Sequence, residues 1–248
     1  MIVEFIGSTG AGKSTLIQEV QSKLATSTKV TTSIDLVTSL LGLRNVSNPT
    51  AQNLIQELVG FPFFLRSWRR YKAFMDCTVR MFRRDSKFSI YTINNLRSLE
   101  RKIGVYEITQ RYSRDRIILV DEGPILAAHM FVFSGASFTP KEIAEFASLL
   151  PLPDLIVHVK ASINTLVCRT LQRSDPPKEM SAKNFTQVEK YIKDAVAFFD
   201  QLTEAENIQR RLLVVENSDF TQQGLEILAN NVTSSILNRY TSKTTIPT

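Results

Sequence analysis

The stretch FIGSTGAGKSTL, Phe5 to Leu16, carries the spacing G-x-x-x-x-G-K-S from Gly7 through Gly12 and Lys13 to Ser14. Before it, IVEFI (Ile2 to Ile6) is short, apolar and β-branched, the pattern of a buried strand. After it, Leu16, Ile17, Val20 and Leu24 recur on one face of a helix. A strand, a glycine-rich turn and a helix, in that order, are what a phosphate cradle needs. The glycines let the backbone turn tightly and aim several N–H groups inward, where the helix N-terminus adds its dipole. Gly7, Thr9, Gly10, Ala11, Gly12, Lys13, Ser14 and Thr15 are therefore expected to hold a polyphosphate. Lys13 would reach the β- and γ-phosphates, and the Ser14 hydroxyl would ligate Mg²⁺. A glycine turn that merely joins strand to helix is the alternative, and the coincidence of all these pieces argues against it.

Outward from this stretch, KVTTSI (Lys29 to Ile34), RIILVDEG (Arg116 to Gly123), DLIVHVKA (Asp154 to Ala161) and RRLLVVENS (Arg210 to Ser218) read as four more strands. Residues 36–107 read mainly as helix, broken near SNP and GFP. FTPKEIAEFASLL opens with Thr139, Pro140 and Glu142, a capping signature for a further helix. Apolar strands alternating with helices predict an α/β fold with a five-stranded parallel sheet flanked by helices. That is the P-loop NTPase arrangement, with a helical segment between strands 2 and 3 and a lid after strand 4. One domain is expected over residues 1–240, with residues 241–248 as a frayed tail.

Composition narrows the class. The 248 residues are 43% hydrophobic and 22% charged, ordinary for a globular protein. No apolar run approaches the ~20 residues of a membrane span, and MIVEFIGS lacks the features of a signal peptide, so a cytoplasmic protein is expected. Cys77 and Cys168 make no disulfide framework or metal cluster, and both are expected to be buried or half-buried thiols. His158 lies in an apolar strand and reads as structural, while His129 follows the DEGP turn and is a candidate to line a site.

A cradle needs a carboxylate at the end of a neighbouring strand to hold Mg²⁺. IILVDEG supplies Asp121, first after the apolar run, as the metal partner, and Glu122 to orient or deprotonate an attacking hydroxyl or water. Farther on, Arg169 and Arg173 are four apart on a predicted helix, which puts both guanidiniums on one face. They lead into a polar, Pro-containing lid at residues 174–183. Arginines brought in by a closing lid stabilise a transferring phosphoryl group and exclude water.

At this point the chain resembles the thymidylate kinase and deoxynucleoside kinase superfamily. The resemblance rests on GSTGAGKST, IILVDEGP, LPDLIVHVKASINTLVCRTLQRSD and LLVVENSD, in that order. It covers about the first 35 residues and much of 116–219. It implies an Mg·ATP site on the P-loop, Arg169 and Arg173 as lid arginines on ATP phosphates, and a loop from Glu216 to Asp219, including Asn217, near the adenine. The acceptor half departs from the family pattern. After the second strand Asp35 is the only comparable acid, Asp121-Glu122-Gly123 replaces an acid-arginine pair, and Lys160 stands where an acid is frequent.

The middle of the chain is basic. Residues 66–116 hold fourteen Lys and Arg against five Asp and Glu, although the whole chain carries a net charge of only +6. Within 36–107, Leu65, Trp68, Phe74, Val79 and Phe82 are spaced for a buried helix stripe, with Arg97 and Arg101 forming a second pair four apart. Such a segment suits an anionic small-molecule acceptor. The expected activity is transfer of the γ-phosphoryl of ATP to that acceptor, with Asp35, Arg97, Arg101 and Glu122 on the acceptor side and Glu122 or Asp35 as base. The alternatives are a regulatory NTPase that binds nucleic acid or protein through its basic segment and a polynucleotide end kinase. A homodimer is a further expectation, from the resemblance alone.

Overall fold

Strand β1 (Ile2–Ile6) is buried along its whole length, which an apolar β-branched run can be only at the centre of a sheet covered on both faces. In the computed structural model, which describes residues 1–43, 46, 48–85, 90–134, 138–173, 184–218 and 221–244, β1 is that centre. It pairs in parallel with β3 (Ile117–Val120) on one side and β4 (Leu155–Lys160) on the other. The edges are β2 (Val30–Thr32) and β5 (Leu212–Glu216), giving the order β2-β3-β1-β4-β5, all parallel. The five strands are those read from the sequence.

Alternation along the strands divides the core. Val3 and Phe5 pack with Leu16, Val20, Val157 and Ile236, under α1 (Lys13–Leu24) and α10 (Gln222–Thr244). Ile6 and Ile156 join Phe74, Phe131, Phe146 and Phe199 on the opposite face. That face is covered by α3 (Pro49–Asp85), α4 (Ile90–Tyr112), α5 (His129–Ser134), α6 (Pro140–Leu149) and α8 (Phe185–Thr203). The short helices α2 (Ser33–Leu40), α7 (Ile163–Leu171) and α9 (Glu206–Gln209) complete the set, with a 3₁₀ turn at Leu126–Ala128. Thr139 and Glu142 form the capping box read from the sequence, and Asn184 with Gln187 forms another at the start of α8.

Five expectations are corrected. Strand β2 stops at Thr32, because the Thr32 hydroxyl accepts from the Asp35 N–H at 3.1 Å and starts α2 there. Helix α3 does not break at Gly60-Phe61-Pro62 but runs on through Pro62. Gly60 lies against Gly104 of α4 so closely that a Cβ on Gly104 would overlap the Gly60 backbone, and this crossing holds the segment helical despite the hydrogen bond that proline forfeits. Leu65 and Trp68 are exposed; the buried stripe of α3 is instead Phe64, Tyr71, Phe74, Met75 and Phe82. Cys77 is buried as expected, but Cys168 is exposed, because it faces away from the sheet on α7. Helix α10 continues through Thr244, four residues into the segment expected to fray.

Candidate active site

Parallel pairing of β1 with β3 brings the loops that follow them to one edge of the sheet, the carboxyl edge where open α/β sheets bind ligands. Gly12 adopts φ 85° and caps α1, and a side chain there would overlap the Asn217 amide. That amide donates to the Ala11 carbonyl at 2.8 Å, and the Asn217 N–H donates to the Lys160 carbonyl at 2.7 Å. From α7, the Arg169 guanidinium donates to the carbonyls of Gly10 at 3.2 Å and Asn217 at 3.1 Å. Arg169 and Asn217 thus clamp the loop from beneath. Lys13 Nζ donates to the Gly7 and Ser8 carbonyls at 2.9 and 3.2 Å. Burial lowers the Lys13 ammonium to about 8, opposed by the charges of Asp121 and Glu122, so it stays protonated at neutral pH.

Across the strand ends, the Ser14 hydroxyl donates to Asp121 Oδ2 at 2.7 Å. Two hard oxygen donors side by side at the mouth of a phosphate cradle fit Mg²⁺, which takes few protein ligands and completes its shell with phosphate and water. Among the described residues no group of three or more His, Cys, Asp or Glu offers a different metal site.

Glu122 is paired with Lys102 of α4 at 3.3 Å, and the Lys102 charge, more than any other influence, holds its carboxyl below the usual range. Sequence reading missed Lys102 beside Arg101, because spacing alone does not tell which of two adjacent cations turns inward. It also missed Glu4, a carboxylate inside an apolar strand, which is itself a visible signal. Glu4 is buried and accepts from the N–H groups of Ile125 and Leu126 at 2.9 and 3.0 Å, fixing the turn that carries Asp121 and Glu122.

A cleft of about 430 Å³ opens beside Ser14, Asp121 and Glu122, between α1, the end of β2, α3 and α4. Arg101 lines it, and the Arg101 Nε is buried without a hydrogen-bond partner among the described residues. Arg97 is not among its lining residues and pairs on the surface with Glu57. Asp35 is exposed in the first turn of α2, where its carboxylate accepts from the Thr32 hydroxyl at 2.8 Å, and it does not line the cleft either. Arg173 is exposed just past α7, close enough for its charge to bear on Lys13. The lid at 174–183 lies outside the described residues, and so does Asp219. A second cavity of about 310 Å³ on the other side of Glu122 includes Lys102, Asn95 and His129. Burial keeps His129 neutral, against Phe199 with ring centroids 4.7 Å apart. His158 is likewise buried and lowered to about 4, in keeping with a structural role.

Much of the basic middle segment is neutralised locally. Arg70, Lys72, Arg80 and Arg116 pair with Glu107, Asp76, Glu145 and Asp115.

No family model matches the chain, and no curated protein matches it. Solved structures do. Deoxyadenosine kinase from M. mycoides, with products dCMP and a flexible dCDP bound, aligns over 94% of this chain and 100% of that one, at 16% identity and a TM-score of 0.50. The chain has the P-loop kinase fold. Shikimate kinase from Bacteroides thetaiotaomicron aligns over 95% of this chain and 98% of its own, at 10% identity and a TM-score of 0.49. Within the P-loop kinase fold, Gly7 to Gly12 form the loop after the central strand, Lys13 to Thr15 open α1, and Asp121 directly follows the strand beside it. No helix of the described residues is long and apolar enough to cross a membrane.

Proposed function

We propose that the protein is a phosphotransferase that moves the γ-phosphoryl group of ATP to a small acceptor held in the cleft beside Asp121 and Glu122. The observation that carries this reading is the Ser14–Asp121 hydrogen bond at 2.7 Å, which sits at the junction of the phosphate loop and the cleft. Mg²⁺, when bound, supplies charge neutralisation on the phosphates, and Ser14 and Asp121 are the residues that would hold it. Lys13 and the loop N–H groups bind the phosphate chain of ATP. Arg169 and Asn217 keep the loop in shape, and Arg173 stands at the entrance with its charge toward Lys13. Glu122, kept ionised by Lys102, orients the acceptor hydroxyl and receives its proton. Asp35, exposed beside Thr32 at the edge of the cleft and not among its lining residues, is not part of this reading, and Arg97 is held at the surface by Glu57.

The test is ADP release from Mg·ATP against nucleosides, nucleoside monophosphates, sugars and sugar phosphates, with Lys13→Ala as the blank. Release that depends on one acceptor class supports the reading. Release indifferent to every small molecule, or raised only by nucleic acid or a protein, overturns it in favour of a regulatory NTPase.

A further inference from the structure

The lining of the cleft restricts what the acceptor can be. Its polar wall is built from Gln18 and Gln21 of α1, Thr32 and Ser33 where β2 meets α2, and Gln52, Asn53 and Gln56 of α3, with Ser14, Arg101, Asp121 and Glu122 in the same lining and Ile17, Ile34, Val105 and Leu119 as its apolar part. Among the described residues, no Phe, Tyr, Trp or His lines it. A nucleobase is ordinarily gripped by stacking on an aromatic face, which contributes roughly 1–3 kcal/mol per base, and this wall offers none. It offers instead five carboxamides and three hydroxyls, each able to donate and to accept. Hydroxyl groups on adjacent carbons present the matching alternation of donors and acceptors, whereas a base edge presents a few fixed sites around a large apolar face. The volume, about 430 Å³, is in the range of small-ligand pockets.

Arg101 adds a second restriction. Its Nε is buried and without a partner among the described residues, and its guanidinium makes a long 3.4 Å contact to the Ser98 hydroxyl. A guanidinium cannot shed its charge and is built to grip an oxyanion through two parallel N–H groups. Among the described residues no ion pair joins it to Asp121 or Glu122, although its charge bears on Glu122, whose ion-pair partner is Lys102.

Resting on the phosphotransferase reading above, we infer that the acceptor is a polyhydroxylated anion, a sugar phosphate or sugar acid, whose hydroxyls meet the carboxamide wall and whose phosphate or carboxylate is bound by Arg101. One acceptor hydroxyl oxygen forms a bond to the γ-phosphorus of ATP while the bond from that phosphorus to the β,γ-bridging oxygen breaks. ADP leaves with that electron pair, and the hydroxyl proton goes to Glu122. The product is a phosphate monoester of the sugar derivative.

The experiment uses the full chain with Mg·ATP and glucose 6-phosphate, ribose 5-phosphate, gluconate and glucuronate, against glucose and ribose and against deoxyadenosine, thymidine and AMP. Turnover is read as ADP release and by ³¹P NMR of the product, and binding by calorimetry on the Lys13→Ala chain. Preference for an anionic sugar derivative is expected. Arg101→Gln should then raise its KM about tenfold or more while kcat changes far less, with circular dichroism confirming the fold. Turnover of nucleosides alone overturns the inference and leaves the phosphotransferase reading standing. So does an Arg101→Gln KM within twofold of the parent, or failure of every sugar derivative to bind while Mg·ATP binds. ADP release that no acceptor changes removes both.

Discussion

The carboxyl group of Glu4 and the α-carbon of Gly123 are in such close contact that a Cβ on Gly123 would overlap the carboxyl atoms. Glu4 sits on the central strand, and Gly123 sits in the turn that presents Asp121 and Glu122. The glycine lets that turn settle onto the carboxyl, where the N–H groups of Ile125 and Leu126 meet it. Gly123→Ala should therefore push the turn away from β1 and displace both acids. A loss of about 1–3 kcal/mol in urea unfolding is expected, with a fall in kcat larger than any rise in the KM for ATP.

Burial raises the Glu4 carboxyl from 4.5 to about 7, with the two backbone N–H groups and the Lys102 charge pulling the other way. Tyr106, on the same helix as Lys102, also faces it electrostatically. Between pH 4.5 and about 7 the folded chain holds a proton that the unfolded chain has released. Stability from this group is thus fully present below pH 4.5 and is lost as pH rises through about 7. The span is on the order of 3 kcal/mol. Glu4→Gln should flatten that part of the stability profile, measured by urea unfolding across pH. A parent profile that does not fall over this range would exclude the buried acid as its source.

Gly104→Ala tests the crossing of α3 and α4. The added methyl would strike the Gly60 backbone, which cannot move without shifting a helix. Destabilisation of about 1–3 kcal/mol or somewhat more is expected. Thr139→Ala, which removes only a capping box on α6, should cost about 1 kcal/mol.

Arg169→Lys separates loop support from direct phosphate contact. A lysine cannot bridge the Gly10 and Asn217 carbonyls with two fixed N–H groups. The apparent Kd for ATP should weaken about tenfold, with the fold intact by circular dichroism. An unchanged Kd would mean that the loop keeps its shape without the clamp.

On the phosphotransferase reading, Lys13→Ala, Ser14→Ala and Asp121→Asn should each lower kcat by about 10²-fold or more, since each would remove charge or oxygen ligation at the transferring group. Lys102→Met should lower kcat and leave nucleotide affinity near the parent's, because Lys102 meets Glu122 rather than the phosphate loop. A Lys102 variant that loses ATP affinity instead would place that lysine on the nucleotide.

The sequence by itself determined the sheet and the glycine loop between β1 and α1. Both are local matters: runs of apolar β-branched residues make buried strands wherever they occur, and glycine spacing with Lys13 and Ser14 acts through a backbone turn only a few residues long. Asp121 was legible for the same reason, as the first acid after an apolar run. Tertiary structure decided the rest. Which of Arg97, Arg101 and Lys102 faces the cleft depends on how α4 lies against α3, and that depends on Gly60 meeting Gly104, residues 44 apart in the chain. Helix α3 continues through Pro62 because long-range packing outweighs a local breaking signal. Asp35, plausible by position, was taken by Thr32 when β2 ended two residues early. Arg169, read as reaching for phosphate, was drawn under the loop by carbonyls that only folding brings to it. Charge and hydrogen-bonding capacity are written in the residue types. Their partners are chosen by contacts across the chain, which no short window of sequence contains.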